Sequence, residues 1–164
     1  MAESVLNLSF TLFEYIPLDV NDYIDFLGNR YWLIENYRPI KKSTIEYQYD
    51  VKFYGIEAKL KKALVLKVVD GDESSEFSLN DTPLAHVRLF VDNMNRISGA
   101  KIWSVGQVIN TPNVNIEYKG TFCFDGLRDL ASKTESEWWL NGYTLNLIRC
   151  EHGNLLDLGY DRGL

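Results

Sequence analysis

Apolar and polar positions alternate over much of the first half of the chain. Apolar side chains occupy every second position from residue 6 to 12, and again from residue 45 to 53. A period of two is typical of a strand that buries one face. Short turns, among them those at 28–30 and 70–73, separate these strands from others. Residues 1–75 are therefore predicted to form an antiparallel meander that curls into a small β-barrel or sandwich.

The spacing of apolar residues becomes helical after residue 80. One face of the segment that follows carries Val87, Phe90, Val91 and Met94. Thr82 is predicted to cap this helix and Pro83 to occupy its first turn, where a missing N–H costs nothing. A second short helix is predicted from Asp125, as N-cap, to Lys133. With strands between and after the two helices, residues 76–150 are predicted to form an α+β domain.

A β-hairpin is predicted at the end of this second domain. Asn141-Gly142 is a preferred dipeptide for a two-residue type I′ turn, because both residues tolerate positive φ. Leu140 is then expected to pair with Tyr143, which sets the register of the two strands. One face of the hairpin is apolar and places Trp138 in the core. The other face is polar, and Trp139 is the one large apolar side chain expected on it.

Composition and charge narrow the function classes. The chain has 164 residues, of which 46% are hydrophobic, and this is enough for a real core. A net charge of −6 and a pI near 4.9 argue against nucleic-acid binding. No apolar run is long enough to cross a membrane, so we expect a soluble protein made in the cytoplasm. The polar tail, residues 151–164, is expected to lead into a further C-terminal region.

No common catalytic or metal-binding motif is present. The two histidines, His86 and His152, each lack a second histidine at metal-ligand spacing. The acidic turn at 70–73 lacks the ligand spacing of an EF-hand. Cys123 and Cys150 are interpreted as structural thiols. We therefore predict that the protein is not an enzyme and binds no cofactor or metal. The alternative is a cell-wall hydrolase centred on either histidine.

Aromatic residues make up 13% of the chain and mostly occupy the apolar positions of alternating strands. Four of them are predicted to be exposed and to form a candidate interaction surface: Trp139, Trp32, Tyr37 and Trp103. Exposed aromatic side chains on a sheet suit contact with another protein or with sugar rings.

Four segments, in order, carry a resemblance to a known family: DYIDFLGNRYWLIENYRP, STIEYQYDVKFYG, FSLNDTPLAHVRLFVDNMN and FDGLRDLASKTESEWWLNGYTLNL. The chain resembles the amino-terminal part of tail-tip or baseplate hub proteins of tailed bacteriophages and prophages. This group includes tail proteins loosely described as prophage endopeptidase tail. The resemblance implies a tube-type β-barrel domain followed by an α+β domain, assembled as a trimeric ring that joins the tail tube to the tip.

The resemblance also implies a structural role in the virion tail, for a protein made in the host bacterial cytoplasm. Its partners would be its own copies and other tail proteins. The peptidase activity in the family label is not carried over, because no hydrolase motif is present. The exposed aromatic residues leave one alternative, a carbohydrate- or cell-wall-binding module that uses Trp139 and neighbouring aromatics as a stacking platform.

Overall fold

The structure is a computed structural model that describes residues 4–149, and it has the predicted mixed α+β fold. A curled antiparallel half-barrel comes first, and three helices interleaved with small sheets follow it. No helix within these residues is both long and apolar enough to cross a membrane. In chain order the elements are β1 (Val5–Leu12), β2 (Tyr23–Phe26), β3 (Asn29–Trp32), β4 (Ile40–Lys41), β5 (Tyr47–Tyr54), α1 (Glu57–Leu60), β6 (Lys67–Val69), β7 (Asp72–Ser74), β8 (Glu76–Asp81), α2 (Pro83–Ser98), β9 (Ser104–Val108), β10 (Val114–Lys119), α3 (Cys123–Lys133), β11 (Glu137–Asn141) and β12 (Thr144–Ile148).

The half-barrel is built around β5. Strand β1 pairs with β5 along its whole length, with Val5 opposite Tyr54 and Leu12 opposite Tyr47. Strands β3 and β4 pair with the other edge of β5, and β2 pairs with β3 across a tight turn. The order β1-β5-β3-β2 leaves β1 and β2 as the two edges. The antiparallel prediction is confirmed, but the meander is wrong for β1, whose partner is not the next strand along the chain.

Alternation along β5 produces the core of the half-barrel. Tyr49, Val51 and Phe53 are buried, and the residues between them are exposed. The Tyr49 hydroxyl accepts a hydrogen bond from the Ile16 N–H at 2.7 Å and donates one to the Ile16 carbonyl at 3.0 Å. The chain that follows β1 is therefore fixed to this core.

A second hydrophobic cluster lies among α2, α3 and the small sheets. Its fully buried members include Phe90, Ile116, Tyr118, Leu127, Leu130 and Leu147. Leu60 and Val65 also belong to this cluster. Asn93 of α2 holds their segment in place by bonding the N–H and the carbonyl of Leu66, at 3.0 and 2.9 Å. The second cluster thus takes in residues ahead of position 75, and the domain boundary there stays a prediction.

The two longer helices begin for different reasons. Thr82 caps α2 as predicted, because its hydroxyl accepts a hydrogen bond from the Ala85 N–H at 3.3 Å and Pro83 starts the first turn. Helix α3 begins at Cys123, earlier than predicted, so Asp125 lies in its first turn and is not the cap. The Cys123 N–H is bonded instead to the Ala63 carbonyl at 2.8 Å. A tertiary contact therefore replaces the predicted side-chain cap.

The predicted C-terminal hairpin forms between β11 and β12, with its turn displaced by one residue. Asn141 pairs with Thr144, so Gly142 and Tyr143 occupy the turn. Gly142 alone of these two has positive φ, at 56°, which is the requirement of a type II′ turn. The predicted pairing of Leu140 with Tyr143 is therefore wrong.

The faces of the hairpin are nevertheless those predicted. Leu140 pairs with Leu145 and Trp138 with Leu147, so each partner moves by two residues and stays on the same face. Trp138 is buried, as expected. Strand β12 also pairs in parallel with β9, where Leu145 faces Val105. The sequence pattern did not predict this parallel pairing.

Candidate functional site

The four predicted surface aromatics do not form one platform. Trp103 is only 4% exposed, which corrects the expectation that it lies on the surface. Its indole N–H donates to the Ser98 hydroxyl at 3.2 Å, and its ring packs edge-on against Tyr143 at 5.2 Å between centroids. This aromatic residue is a core residue because both its polar and its apolar atoms have partners.

The other three aromatics are half-buried and lie apart. Tyr37 accepts a hydrogen bond from the Asp50 N–H at 2.6 Å and lines a small cavity of about 190 Å³. Trp139 lies on β11 opposite Asn146, and Trp32 lines a larger cleft. Trp32 therefore borders a cavity of ligand size.

That cleft has a volume of about 510 Å³. The turn of the β2–β3 hairpin forms one wall, and the turn of the β11–β12 hairpin forms the other. Its aromatic lining residues are Tyr31, Trp32 and Tyr143, and its polar ones include Arg30 and Asn141. Small-molecule sites have volumes in this range and combine apolar walls with a few polar groups.

Glu57, at the start of α1, is among the residues that line this cleft, together with Gly55 and Ser4. The residue is only 7% exposed. Its Oε1 accepts a hydrogen bond from the Ser4 hydroxyl at 3.1 Å, whereas Oε2 has no hydrogen-bond partner within the part of the chain that the structure describes. An added Cβ at Gly55 would collide with this carboxylate. A buried carboxylate oxygen without a partner is rare and calls for a functional explanation.

His86, the first of the two candidate catalytic histidines, is fully buried in α2. Its Nε2 lies 3.0 Å from the Val114 carbonyl, which can only accept, so Nε2 carries the proton. Nδ1 then accepts a hydrogen bond from the Tyr118 hydroxyl at 2.7 Å. Burial lowers the pKa of His86 and favours this neutral form. The ring therefore ties α2 to β10, while His152 lies outside the described residues.

The remaining candidate groups are the Cys123 thiol and the metal-ligating side chains. The thiol of Cys123 is buried and faces the Phe90 carbonyl at 3.9 Å, and burial raises its pKa to about 12. Within residues 4–149 no cluster of three or more metal-ligating side chains occurs.

The outer edge of the half-barrel is the most extensive candidate interface. Strand β1 has the sequence VLNLSFTL, which contains no charged residue and no proline. Within the described chain it pairs with β5 along one edge only. Eleven of the seventeen exposed large hydrophobic residues found in residues 4–149 lie between positions 5 and 45, on and around this sheet.

No protein-family model, curated protein or solved structure matches this chain. The β1 edge and the cleft are therefore the features of the described chain that bear on its function.

Proposed function

We propose that this protein is a structural subunit of the tail tip of a tailed bacteriophage or prophage. In this role it assembles with copies of itself and with neighbouring tail proteins, and it has no catalytic activity. It is made in the host bacterial cytoplasm and is then incorporated into the virion tail. The single observation that carries the proposal is the long, uncharged edge of β1.

An exposed strand edge presents unpaired backbone N–H and carbonyl groups that readily pair with another chain. Monomeric proteins blunt such edges with lysine, proline, bulges or very short strands. Strand β1 has eight residues, pairs regularly with β5 and carries none of those residues. An edge of this kind suits a protein whose normal state is an assembly.

The open half-barrel also supports a ring-shaped assembly. Its two edges, β1 and β2, differ in length and sequence. Pairing β1 of one copy with β2 of the next is therefore a head-to-tail contact, and such contacts close into rings when the rotation allows it. This geometry is compatible with the trimeric ring that the family resemblance implies.

The exposed apolar side chains support the same role. Phe13 is 75% exposed and Leu27 is 85% exposed, at the ends of the two edge strands. The register places these two side chains on opposite edges and at opposite ends of the sheet, so they suit two separate contacts with neighbouring subunits. The net charge of −6 suits a ring through which DNA passes without adhering.

A charge substitution on the β1 edge tests the assembly. Ser9 lies opposite Asp50 and donates to its carboxylate at 2.5 Å, so Ser9→Lys keeps a favourable cross-strand pair while it adds a lysine to the edge. We expect the wild-type protein to sediment as an oligomer at high concentration and Ser9→Lys to sediment as a folded monomer.

The matched control is Ser132→Lys, because Ser132 is exposed and belongs to α3 rather than to a strand. This variant should assemble like the wild type. A wild-type protein that is monomeric at every concentration, or a Ser9→Lys variant that assembles normally, would refute the proposed interface. The location in the tail is tested separately by immunogold electron microscopy of phage particles, and labels on the capsid alone would contradict it.

A further inference from the structure

We propose that Leu27, at the tip of the β2–β3 hairpin, inserts into an uncharged pocket of a second copy of this chain. The pocket lies between the start of α2 and the end of β9. The inference rests on the proposed self-assembly and specifies one of its contacts. Tip and pocket belong to different elements, so a copy that inserts its tip into a neighbour still presents its own pocket to the next copy.

The backbone conformation at Leu27 is unusual for a leucine. Phe26 pairs with Asn29, so Leu27 and Gly28 form a two-residue turn, and both have positive φ, at 49° and 77°. Two positive φ values are the requirement of a type I′ turn, in which Asn, Asp or Gly is preferred at the first position. A leucine there is strained, because its Cβ crowds its own backbone.

Another hairpin of the same chain has a preferred residue at the same position. Strands β6 and β7 are joined by Asp70-Gly71, whose φ values are 51° and 91°. Leu27 is the one apolar side chain among the non-glycine residues with positive φ in the described chain. Backbone strain of this kind is concentrated at functional positions. The leucine therefore serves a purpose other than the turn itself.

The hairpin presents this side chain to solvent on a restrained support. Leu27 is 85% exposed, and no other large hydrophobic residue found in residues 4–149 has a higher value. The Arg30 guanidinium bonds the Asp25 carboxylate at 2.8 and 3.0 Å and lies 3.9 Å from the Tyr23 ring centroid. Contacts that restrain the hairpin before it meets a partner lower the entropic cost of binding.

The receiving pocket matches the tip in charge and size. Its volume is about 350 Å³, no charged residue lines it, and its apolar lining residues are Pro83, Leu84, Val108 and Ile109. Deletion of one leucine side chain from a protein core leaves a cavity of about 150 Å³. The pocket therefore has room for the Leu27 side chain and for part of its neighbour in the sequence.

The charges at the tip favour a second copy over a membrane. Residues 26–29 carry no charge, and Asp25 neutralises Arg30, so the tip has no free cation to attract anionic headgroups. An apolar tip that enters an uncharged apolar pocket buries no unpaired charge. Because the chain itself carries a pocket of this character, a second copy meets the requirement.

Sedimentation velocity of substituted chains tests this contact. Leu27→Asn gives the turn a preferred residue, so we expect a protein at least as stable as the wild type whose self-association is at least about tenfold weaker. The matched control is Asp70→Asn, which places asparagine at the same turn position of the β6–β7 hairpin. This control should assemble like the wild type.

A pair of opposite charges tests whether the pocket is the receiving site. Leu84 lies in the first turn of α2, where the helix dipole favours glutamate, so Leu84→Glu should fold. Leu84→Glu and Leu27→Lys should each weaken association. The double variant Leu27→Lys/Leu84→Glu should recover it, because the two charges attract across the contact.

Oligomers that persist in Leu27→Asn, or a double variant that associates as weakly as the single ones, would overturn this contact while leaving the β1 edge in place. A wild-type chain that is monomeric at every concentration would overturn the assembly itself. Cosedimentation of the wild type with phosphatidylcholine vesicles, lost in Leu27→Asn, would also overturn the contact, since it would assign the tip to a membrane.

Discussion

The buried pair of His86 and Tyr118 gives the sharpest stability prediction. The Tyr118 hydroxyl is the only hydrogen-bond donor to Nδ1 of His86 found in the described chain, at 2.7 Å, and both side chains are fully buried. Tyr118→Phe leaves Nδ1 buried without a donor, which costs about 1–3 kcal/mol. For a chain of this length, each kcal/mol lost from the free energy of unfolding lowers Tm by about 2–4 °C.

Urea denaturation at pH 7.5 measures this loss, and Tyr47→Phe is the matched control. The Tyr47 hydroxyl makes no hydrogen bond within residues 4–149, and its ring is half-buried. We expect the control to change the free energy of unfolding by less than about 0.5 kcal/mol. If Tyr118→Phe is as stable as Tyr47→Phe, the assignment of the hydrogen bond is wrong.

The same pair predicts a pH dependence with a definite sign. Burial lowers the pKa of His86 below its ordinary value of 6.5. Well above pH 6.5 the ring is neutral in both the folded and unfolded chains, so its full contribution to folding stability is present. As the pH falls below 6.5 the unfolded chain takes up the proton first, and stability falls by up to about 1.4 kcal/mol per pH unit until the folded pKa is reached. His86→Leu should lack this component of the slope, and an unchanged slope would contradict the reasoning.

Three further predictions concern packing and reactivity. Gly126→Ala should destabilise the fold by about 1–3 kcal/mol in thermal unfolding, because the new Cβ would lie 2.8 Å from the Phe90 ring. A neutral effect would show that α2 and α3 are less closely packed. Asn93→Ala should lower the free energy of unfolding by at least about 2 kcal/mol in urea titrations, since both Leu66 backbone groups lose their partner. A loss under about 0.5 kcal/mol, the size expected for a surface substitution, would refute the two Asn93–Leu66 hydrogen bonds. In a Cys150→Ser background, the Cys123 thiol should react with Ellman's reagent at pH 8 only after denaturation, because burial raises its pKa to about 12. Rapid reaction of the native protein would contradict the burial of Cys123.

Local signals in the sequence determine much of the fold. The strand alternation of β5, the Thr82 cap and the two faces of the hairpin follow from spacing over a few residues, and all are present in the structure. The start of α3 does not follow from such spacing, because the Cys123 N–H is bonded to Ala63, sixty residues away. The partner of β1 is also remote in sequence, since β1 ends at Leu12 and β5 begins at Tyr47.

The candidate site was harder to predict from the sequence than the fold. The sequence pointed to Trp32, and the structure places it at the cleft. It did not point to Glu57, because a single glutamate beside a glycine carries no motif. Nor does any local pattern bring Ser4, Arg30 and Asn141 together. Burial of Trp103 was also unpredictable, because it depends on the contact with Tyr143 in the turn of the β11–β12 hairpin.

The most direct test of the assembly role is hydrogen–deuterium exchange of β1 as a function of protein concentration. Paired edge amides exchange more slowly than amides open to solvent. We expect the peptide that covers Val5–Leu12 to become protected as oligomers form, while peptides from α2 keep the same exchange rate, and we expect Ser9→Lys to abolish the change. Oligomers in which β1 exchanges as fast as in the monomer would show that another surface holds the copies together.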